Sequence, residues 1–450
     1  MKGTPDDPYF SVELLEGNAA LRDVIDKHIH DQTLALKSAF LVADLGVIVR
    51  QQVRWRTKMD QIRPFYTIRS NSSPVVVEIL AALGTGFVCS NKHELDLVKD
   101  FGVPSQDIIL GGTCKQLSHI KYAAKHNIPL LVCDNEVELR KIARCHPKAK
   151  VLLLLTSERC CDREETALPF GSTLKDCRHL LERARELSLH VTGVKFNIPS
   201  CCQDAQAFSR AVSDARCVFD MAVSHHSCSL GSNSDPIMTR ASLFWCCFFV
   251  QVNQMLKPML DMYFPLSTGL TIIAEPGAYY VSSAFTLAVN IIAKKTVARD
   301  FSGQPHNALS ANDEPEFLYY MNDGVYGSFS SKLLCEDSIP MPLAHKEVSA
   351  EEPLFSSSLW GPSDDDLDQV LERCLLPELS VGDWLLFSNA GATFSNGEEH
   401  NPPVFYSITE SDWYGLHNCG ITLDVRMKNF SLVPCCLQAN ISEASLSTPA

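Results

Sequence analysis

From residue 39 to about 285 the chain alternates short apolar runs with longer amphipathic stretches, and this alternation restricts its possible folds more than any other feature. Short apolar runs bounded by turn residues suit strands buried on both faces. Stretches with apolar residues at helical spacing suit helices laid against a sheet, so the repeat reads as βα units around a parallel sheet. Strands are expected at Pro64–Arg69, Gly86–Ser90, Asp107–Gly111, Pro129–Asp134, Lys150–Leu155, His190–Ile198 and Thr271–Glu275. Helices are expected at Pro74–Leu83, Lys92–Phe101, Leu117–Lys125, Val137–Cys145, Leu174–Leu187 and Ala205–Met221. Seven strands, with one missing where an eighth should fall, make a (β/α)8 barrel more economical than an open doubly wound sheet.

After Tyr279 the pattern changes to long β-branched and aromatic runs, Ala284–Lys294, Phe317–Tyr320, Trp384–Ser388 and Val404–Ile408, separated by polar loops. This reads as a C-terminal antiparallel β domain. The strand-like Ala39–Leu45 either starts the barrel or joins that sheet. The expected organisation is an N-terminal segment 1–44 packing with the β domain, a barrel over 45–283, the β domain over 284–438 and a frayed tail over 439–450. Residues 300–315 and 344–366, rich in Ser, Asp, Glu, Pro and Gly, are expected to include mobile surface loops.

With 46% hydrophobic and 20% charged residues, the 450-residue chain is too apolar for a disordered one and too polar for a membrane bundle. The apolar run Leu243–Val250 is far short of the ~18 residues of a membrane helix. No membrane partner is expected. The opening MKGTPDDPYF has no apolar core of a signal peptide, which suggests a cytoplasmic and nuclear protein. A formal charge of −14 argues against nucleic acid as a partner. The 18 cysteines contain no C-x-x-C spacing, and the adjacent pairs Cys160-Cys161, Cys201-Cys202, Cys246-Cys247 and Cys435-Cys436 are poorly arranged for one tetrahedral metal. They read as buried thiols, and no metal is expected.

Charge is uneven along this acidic chain. Between 111 and 150 there are eight Lys or Arg against three acids, and between 351 and 400 eleven acids against Arg373 alone. The basic stretch is either a solvated face of two barrel helices or a steering patch for an acidic protein.

The motifs Pro64-Phe65-Tyr66-Thr67-Ile68-Arg69-Ser70-Asn71, Leu83-Gly84-Thr85-Gly86-Phe87, Phe170-Gly171, Glu275-Pro276-Gly277, Asp323-Gly324-Val325-Tyr326-Gly327 and Leu359-Trp360-Gly361-Pro362 resemble those of the ornithine decarboxylase family. Within it, Ala81–Phe87, Ser282–Lys294, Tyr319–Lys332 and Leu375–Leu385 are most similar to its catalytically silent branch, the antizyme inhibitors. The resemblance runs from about residue 1 to 438 and implies an alanine-racemase-like barrel followed by a β domain.

It also implies which positions would carry the family's pyridoxal phosphate chemistry. The family's Schiff-base lysine matches Arg69, whose delocalised guanidinium stays protonated and cannot condense with an aldehyde. The acid of its G-T-G-F-D motif matches Val88, and the histidine stacked on the cofactor ring matches Asn197. The phosphate-clamping arginine of E-P-G-R matches Ala278, a phosphate-contacting tyrosine matches Thr393, and the proton-donating cysteine matches Asp364 or its neighbour. Glu275, which holds the pyridine nitrogen in the enzymes, and Asp365, near the substrate-amine position, survive and read as structural remnants. The glycine turn that cradles phosphate is absent from 223–250. The expectation is a protein with no cofactor and no catalytic residues; the alternative is a decarboxylase of ornithine or another basic amino acid with residual activity.

Residues 223–250 carry no βα period and include Ser224-His225-His226-Ser227-Cys228 and Phe244-Trp245-Cys246-Cys247. They read either as a metal site or as sequence foreign to the fold, which would leave the barrel without a strand.

The resemblance further implies antizyme as the partner, captured by the segment at about 113–145. The residues it points to are Lys115, Lys121, Lys125, Glu138, Leu139, Arg140, Lys141 and Arg144. A monomer or weak dimer is expected.

Overall fold

The computed structural model describes residues 10–17, 20–34, 38–156, 170–197, 205–226, 240–244, 257–299, 305–306, 315–333, 339–346, 352–392, 402–418 and 430–434. They form two compact units, residues 48–281 and residues 1–47 with 282–450.

In chain order, β1 (Phe10–Leu15), α1 (Leu21–Leu34) and β2 (Phe40–Asp44) precede α2 (Leu45–Lys58). The barrel then runs β3 (Ile62–Thr67), α3 (Pro74–Ala82), β4 (Gly86–Cys89), α4 (Lys92–Asp100), β5 (Ile108–Leu110), α5 (Leu117–Lys125) and β6 (Leu130–Cys133). It continues with α6 (Glu136–Cys145), β7 (Lys150–Leu155), α7 (Leu174–Glu186), β8 (His190–Asn197), α8 (Ala205–His226), β9 (Arg240–Phe244) and β10 (Thr271–Ala274). All eight strands are parallel and closed in the order β10-β3-β4-β5-β6-β7-β8-β9.

The expectation of a missing strand is therefore corrected. β9 pairs with β8 through Gly193↔Arg240 to Asn197↔Phe244, and with β10 through Thr271↔Arg240 to Ala274↔Leu243. The apolar run Leu243–Val250 hid this strand, because only its first two residues lie in β9 and the three before them are not apolar enough to extend it. Closure satisfies both backbone edges that a seven-stranded sheet would expose.

The barrel interior is filled by alternate residues: Phe65, Val88, Ile109, Leu130, Val132, Leu152, Leu154 and Ile273 form one buried cluster. The intervening residues of β7, Val151, Leu153 and Leu155, are also buried, which is why that strand reads as an unbroken apolar run. Local chemistry starts the helices. Asn91 and Asn135 accept hydrogen bonds from the backbone of Glu94 and Glu138, and Thr173 forms a reciprocal capping box with Asp176.

In the other unit, β11 (Phe285–Arg299), β12 (Pro305–His306), β13 (Pro315–Met321), β14 (Leu343–Ala344), β15 (Leu354–Trp360), β16 (Gln369–Pro377), β17 (Trp384–Phe387), β18 (Val404–Thr409) and β19 (Phe430–Pro434) join β1 and β2 in an 11-stranded sheet. Its path is β16-β15-β13-β11-β2-β18-β1-β19. The sheet is mixed rather than antiparallel: β1 with β18, β1 with β19, β18 with β2, and β13 with β15 all pair in parallel. Ala39–Leu45 resolves into β2, which belongs to this sheet and not to the barrel. Its Phe40 and Val42 pack with Leu15, Val24, Ile25, Ala288 and Trp384. The stretch 344–366 also contains β15, whose consecutive Ser357, Ser358 and Leu359 are buried.

Gly171 shows how tightly one barrel connection is built. It sits at φ +92°, and a Cβ there would lie 2.5 Å from the Thr156 nitrogen. That neighbour is backbone and cannot swing away. Gly171→Ala is expected to cost about 1–3 kcal/mol of stability, read as a lower thermal midpoint; an unchanged midpoint would show that this connection tolerates relaxation.

Candidate functional site

The C-terminal ends of β3, β4, β8 and β10 carry five of the positions singled out above. Arg69 lies in a short 3-10 turn, Ile68–Ser70, directly after β3, and its side chain is exposed. The turn is stitched to the end of β10: the Thr67 backbone N–H donates to the Pro276 carbonyl at 3.1 Å, and the Thr67 hydroxyl donates to the Glu275 carbonyl at 3.4 Å. Gly277 completes the approach, since a Cβ there would come within 1.9 Å of Ser70 Oγ. Val88 is 4% exposed and belongs to the barrel's apolar filling. Ala278 opens a one-turn helix, Ala278–Val281, and offers no charge.

Glu275 is not an idle remnant. It is 1% exposed, and its Oε2 accepts from Lys195 Nζ at 2.5 Å. Lys195 is itself 6% exposed. It was not among the residues singled out from the sequence, although a lysine amid the apolar residues of an expected strand was a legible signal: a buried ammonium needs a buried counter-charge. Asn197 lies two residues further along β8 and so on the same face. Its Oδ1 is buried without a hydrogen-bond partner.

In the other unit, Asp364 and Asp365 are exposed. Asp365 caps the Leu367 N–H at 3.0 Å and accepts from the Tyr326 hydroxyl at 2.6 Å. The Tyr326 bond, followed by the cap, lowers the Asp365 pKa. Asp368, beside them, is the buried acid of this loop and accepts from the backbone of Val325 and Ser363. Thr393 lies outside the described residues, as do Ser227, Cys228 and the four adjacent cysteine pairs. Among the described residues no group of His, Cys, Asp or Glu is arranged to hold a metal, and no helix is long and apolar enough to cross a membrane.

The second candidate region is the basic stretch, which α5 and α6 fold into two kinds of position. Lys115, Glu138 and Leu139 are buried. The Lys115 ammonium donates to the Val132 carbonyl and lies 3.8 Å from Glu138 Oε2. Burial lowers its pKa, against the opposing effect of nearby acidic groups that include Glu138. Lys141 closes the cluster, donating to the Lys115 carbonyl at 2.7 Å and pairing with Glu138. These residues shape the loop before α5. On α5 and α6 the exposed basic residues are Lys121, Lys125, Arg140 and Arg144, with the apolar Val137 and Leu117 exposed on the same two helices. Glu136 joins α6 to α7: it accepts from Arg140 at 2.5 Å and Arg183 at 2.8 Å, and meets His179 at 3.2 Å.

Residues 45–282 match the family of pyridoxal-dependent decarboxylases, in its pyridoxal binding domain. Antizyme inhibitor 1 of Pongo abelii is 51% identical, covering 100% of both chains. Ornithine decarboxylase of Mus musculus is 43% identical over 90% of this chain and 88% of that relative. The arginine decarboxylase of Paramecium bursaria Chlorella virus superposes with a TM-score of 0.72 over 86% of this chain and 100% of its own, at 23% identity, which bears on the fold alone. The chain belongs to the pyridoxal-dependent decarboxylase family. Within it, the chain is similar along its whole length to antizyme inhibitors.

That family implies pyridoxal phosphate, and the residues present do not fit it. A bound pyridoxal needs an amine to hold it and an acid or base partner for its ring nitrogen. The turn after β3 offers an exposed guanidinium at Arg69, Ala278 brings no cation for a phosphate, and the Glu275 carboxylate already carries an ammonium.

The Glu136 knot predicts a specific acid response. The contact with His179, followed by Arg183 and Arg140, lowers the Glu136 pKa to about 2. A depressed folded-state pKa means that the contribution is complete above the ordinary carboxylate range and fades as pH falls through about 2. Between pH ~4.5 and ~2, Glu136→Gln should therefore lose less of its midpoint than the parent protein; parallel acid curves for the two proteins would contradict the knot.

Proposed function

We propose that this chain is a non-catalytic binding protein for antizyme. By occupying antizyme, it releases ornithine decarboxylase from inhibition and degradation and so promotes polyamine biosynthesis and uptake. The observation that carries the reading is the 51% identity to antizyme inhibitor 1 across all of both chains. A decoy needs the partner surface but not the chemistry. The absence of a fit for pyridoxal phosphate, argued above from Arg69, Ala278 and the Lys195–Glu275 pair, supports a protein that has kept the first without the second.

The proposed contact surface is the exposed part of 113–145: Lys121, Lys125, Arg140 and Arg144, with Val137 and Leu117 between them. Positive charge facing an acidic protein raises the rate of encounter, and the apolar residues add burial once docked. Lys115, Glu138 and Lys141 act behind this surface by fixing its shape. The proposed setting is the cytoplasm and nucleus, with the protein acting as a monomer or weak dimer. Nucleic acid and membranes are no part of the proposed interactions.

A residual decarboxylase is the rival reading, favoured by the retained Glu275 and by the 43% identity to ornithine decarboxylase. It predicts carbon dioxide release from ornithine in the presence of pyridoxal phosphate; the decoy reading predicts none above background.

The surface is tested by measuring antizyme binding for the parent protein and for Lys125→Glu with Arg140→Glu. Each exposed charge contributes up to about 1 kcal/mol, so the double reversal should weaken binding about ten-fold or more with the fold intact. Lys115→Ala should instead lower the thermal midpoint, because it leaves Glu138 short of a buried partner. Tight binding that ignores the double reversal would move the interface elsewhere.

A further inference from the structure

The barrel contains a buried charge pair that no decoy function requires. Lys195 on β8 and Glu275 just after β10 meet at 2.5 Å, with side chains 7% and 1% exposed. In the barrel order β9 lies between their two strands, so the pair joins non-adjacent strands at their C-terminal ends. Ligands of such barrels bind at this end.

A buried carboxylate is tolerated only with a positive or hydrogen-donating partner. Two kinds of partner can serve Glu275: a ligand's protonated ring nitrogen, or a cation of the chain itself. The chain supplies its own.

We infer that Lys195 is the built-in counter-cation of Glu275, and that it closes the barrel's ligand-binding end to pyridinium-type cofactors independently of Arg69. A pyridoxal ring seeking Glu275 must displace an ammonium fixed in register by β8 and part it from the carboxylate it meets at 2.5 Å. Restoring an amine at position 69 is thus insufficient to capture the cofactor. Two separate obstacles exist, one at the aldehyde's partner and one at the ring nitrogen's. The inference rests on the non-catalytic half of the proposed function and is independent of antizyme binding.

The test uses the full chain and pyridoxal, which carries the ring nitrogen and aldehyde but no phosphate, so that the phosphate site does not enter. An amine at position 69 would condense with the aldehyde by losing water, and borohydride then reduces the carbon–nitrogen double bond to a stable label. Peptide mass mapping reads the label at position 69 against exposed surface lysines. Arg69→Lys alone should label at 69 no more than a surface lysine does. Arg69→Lys with Lys195→Ser should label about ten-fold more strongly, since a buried carboxylate no longer facing an ammonium favours a protonated ring. Equal labelling in the two proteins would overturn the inference.

Should Lys195→Ser fail to fold, thermal midpoints of Lys195→Met, Glu275→Gln and their combination decide the matter. Each single change should lower the midpoint, and the combination should recover most of that loss, because it removes both charges together. Losses that simply add would show that the two groups do not depend on each other, which also overturns the inference. Antizyme binding is not read in either arm, so failure here leaves the decoy proposal standing and failure there leaves this one.

Discussion

Closure of eight parallel strands into one barrel is the constraint on which the rest of the barrel unit depends. A parallel strand has no tight turn to hold it to its neighbour, and each relies on the strands to either side for its backbone hydrogen bonds. β9 supplies the last of these pairings, between β8 and β10. Those two neighbours carry Lys195 and Glu275 at their ends, so the buried ion pair exists only while the ring is complete. Closure thus fixes both the apolar filling, Phe65 to Ile273, and the buried ion pair at the barrel's ligand-binding end.

The same scaffold separates two roles among charged side chains. Lys195 and Lys115 are buried ammonium groups, each beside a buried glutamate, and each gives up its surface for a structural position. Lys125, Arg140 and Arg144 project from the outer helices and stay exposed. The inner charges are thus paired within the barrel, while the outer ones stay available at the surface. Glu136 sharpens that surface by holding Arg140 and Arg183 in register on neighbouring helices.

Much of the barrel was legible in the sequence because its strands are buried on both faces. Lys150–Leu155 and Pro129–Asp134 stand out as apolar runs between amphipathic stretches, and β7 and β6 fall within them. β9 was not legible: its Arg240-Ala241-Ser242 start lacks apolar continuity, and the aromatic run beginning at Leu243 drew attention past it. The mixed character of the sheet was equally hidden. Pairing of β1 with β18 and of β18 with β2 joins residues hundreds of positions apart, and local pattern carries no strand direction. Among the candidate residues, the replaced positions Arg69, Val88 and Ala278 could be read directly. The burial of Lys115 and Glu138 could not, because charged residues are ordinarily exposed. Lys195 was signalled only by its place inside an apolar strand.

Competition measures the proposed decoy role most directly. Ornithine decarboxylase is first silenced by a stoichiometric amount of antizyme, and the purified chain is then titrated in while carbon dioxide release from ornithine is followed. A decoy predicts that activity returns with added chain and saturates at the level of decarboxylase alone, with no release from the chain by itself. Activity that stays suppressed when folded chain is in excess, or release from the chain without any decarboxylase present, would contradict it.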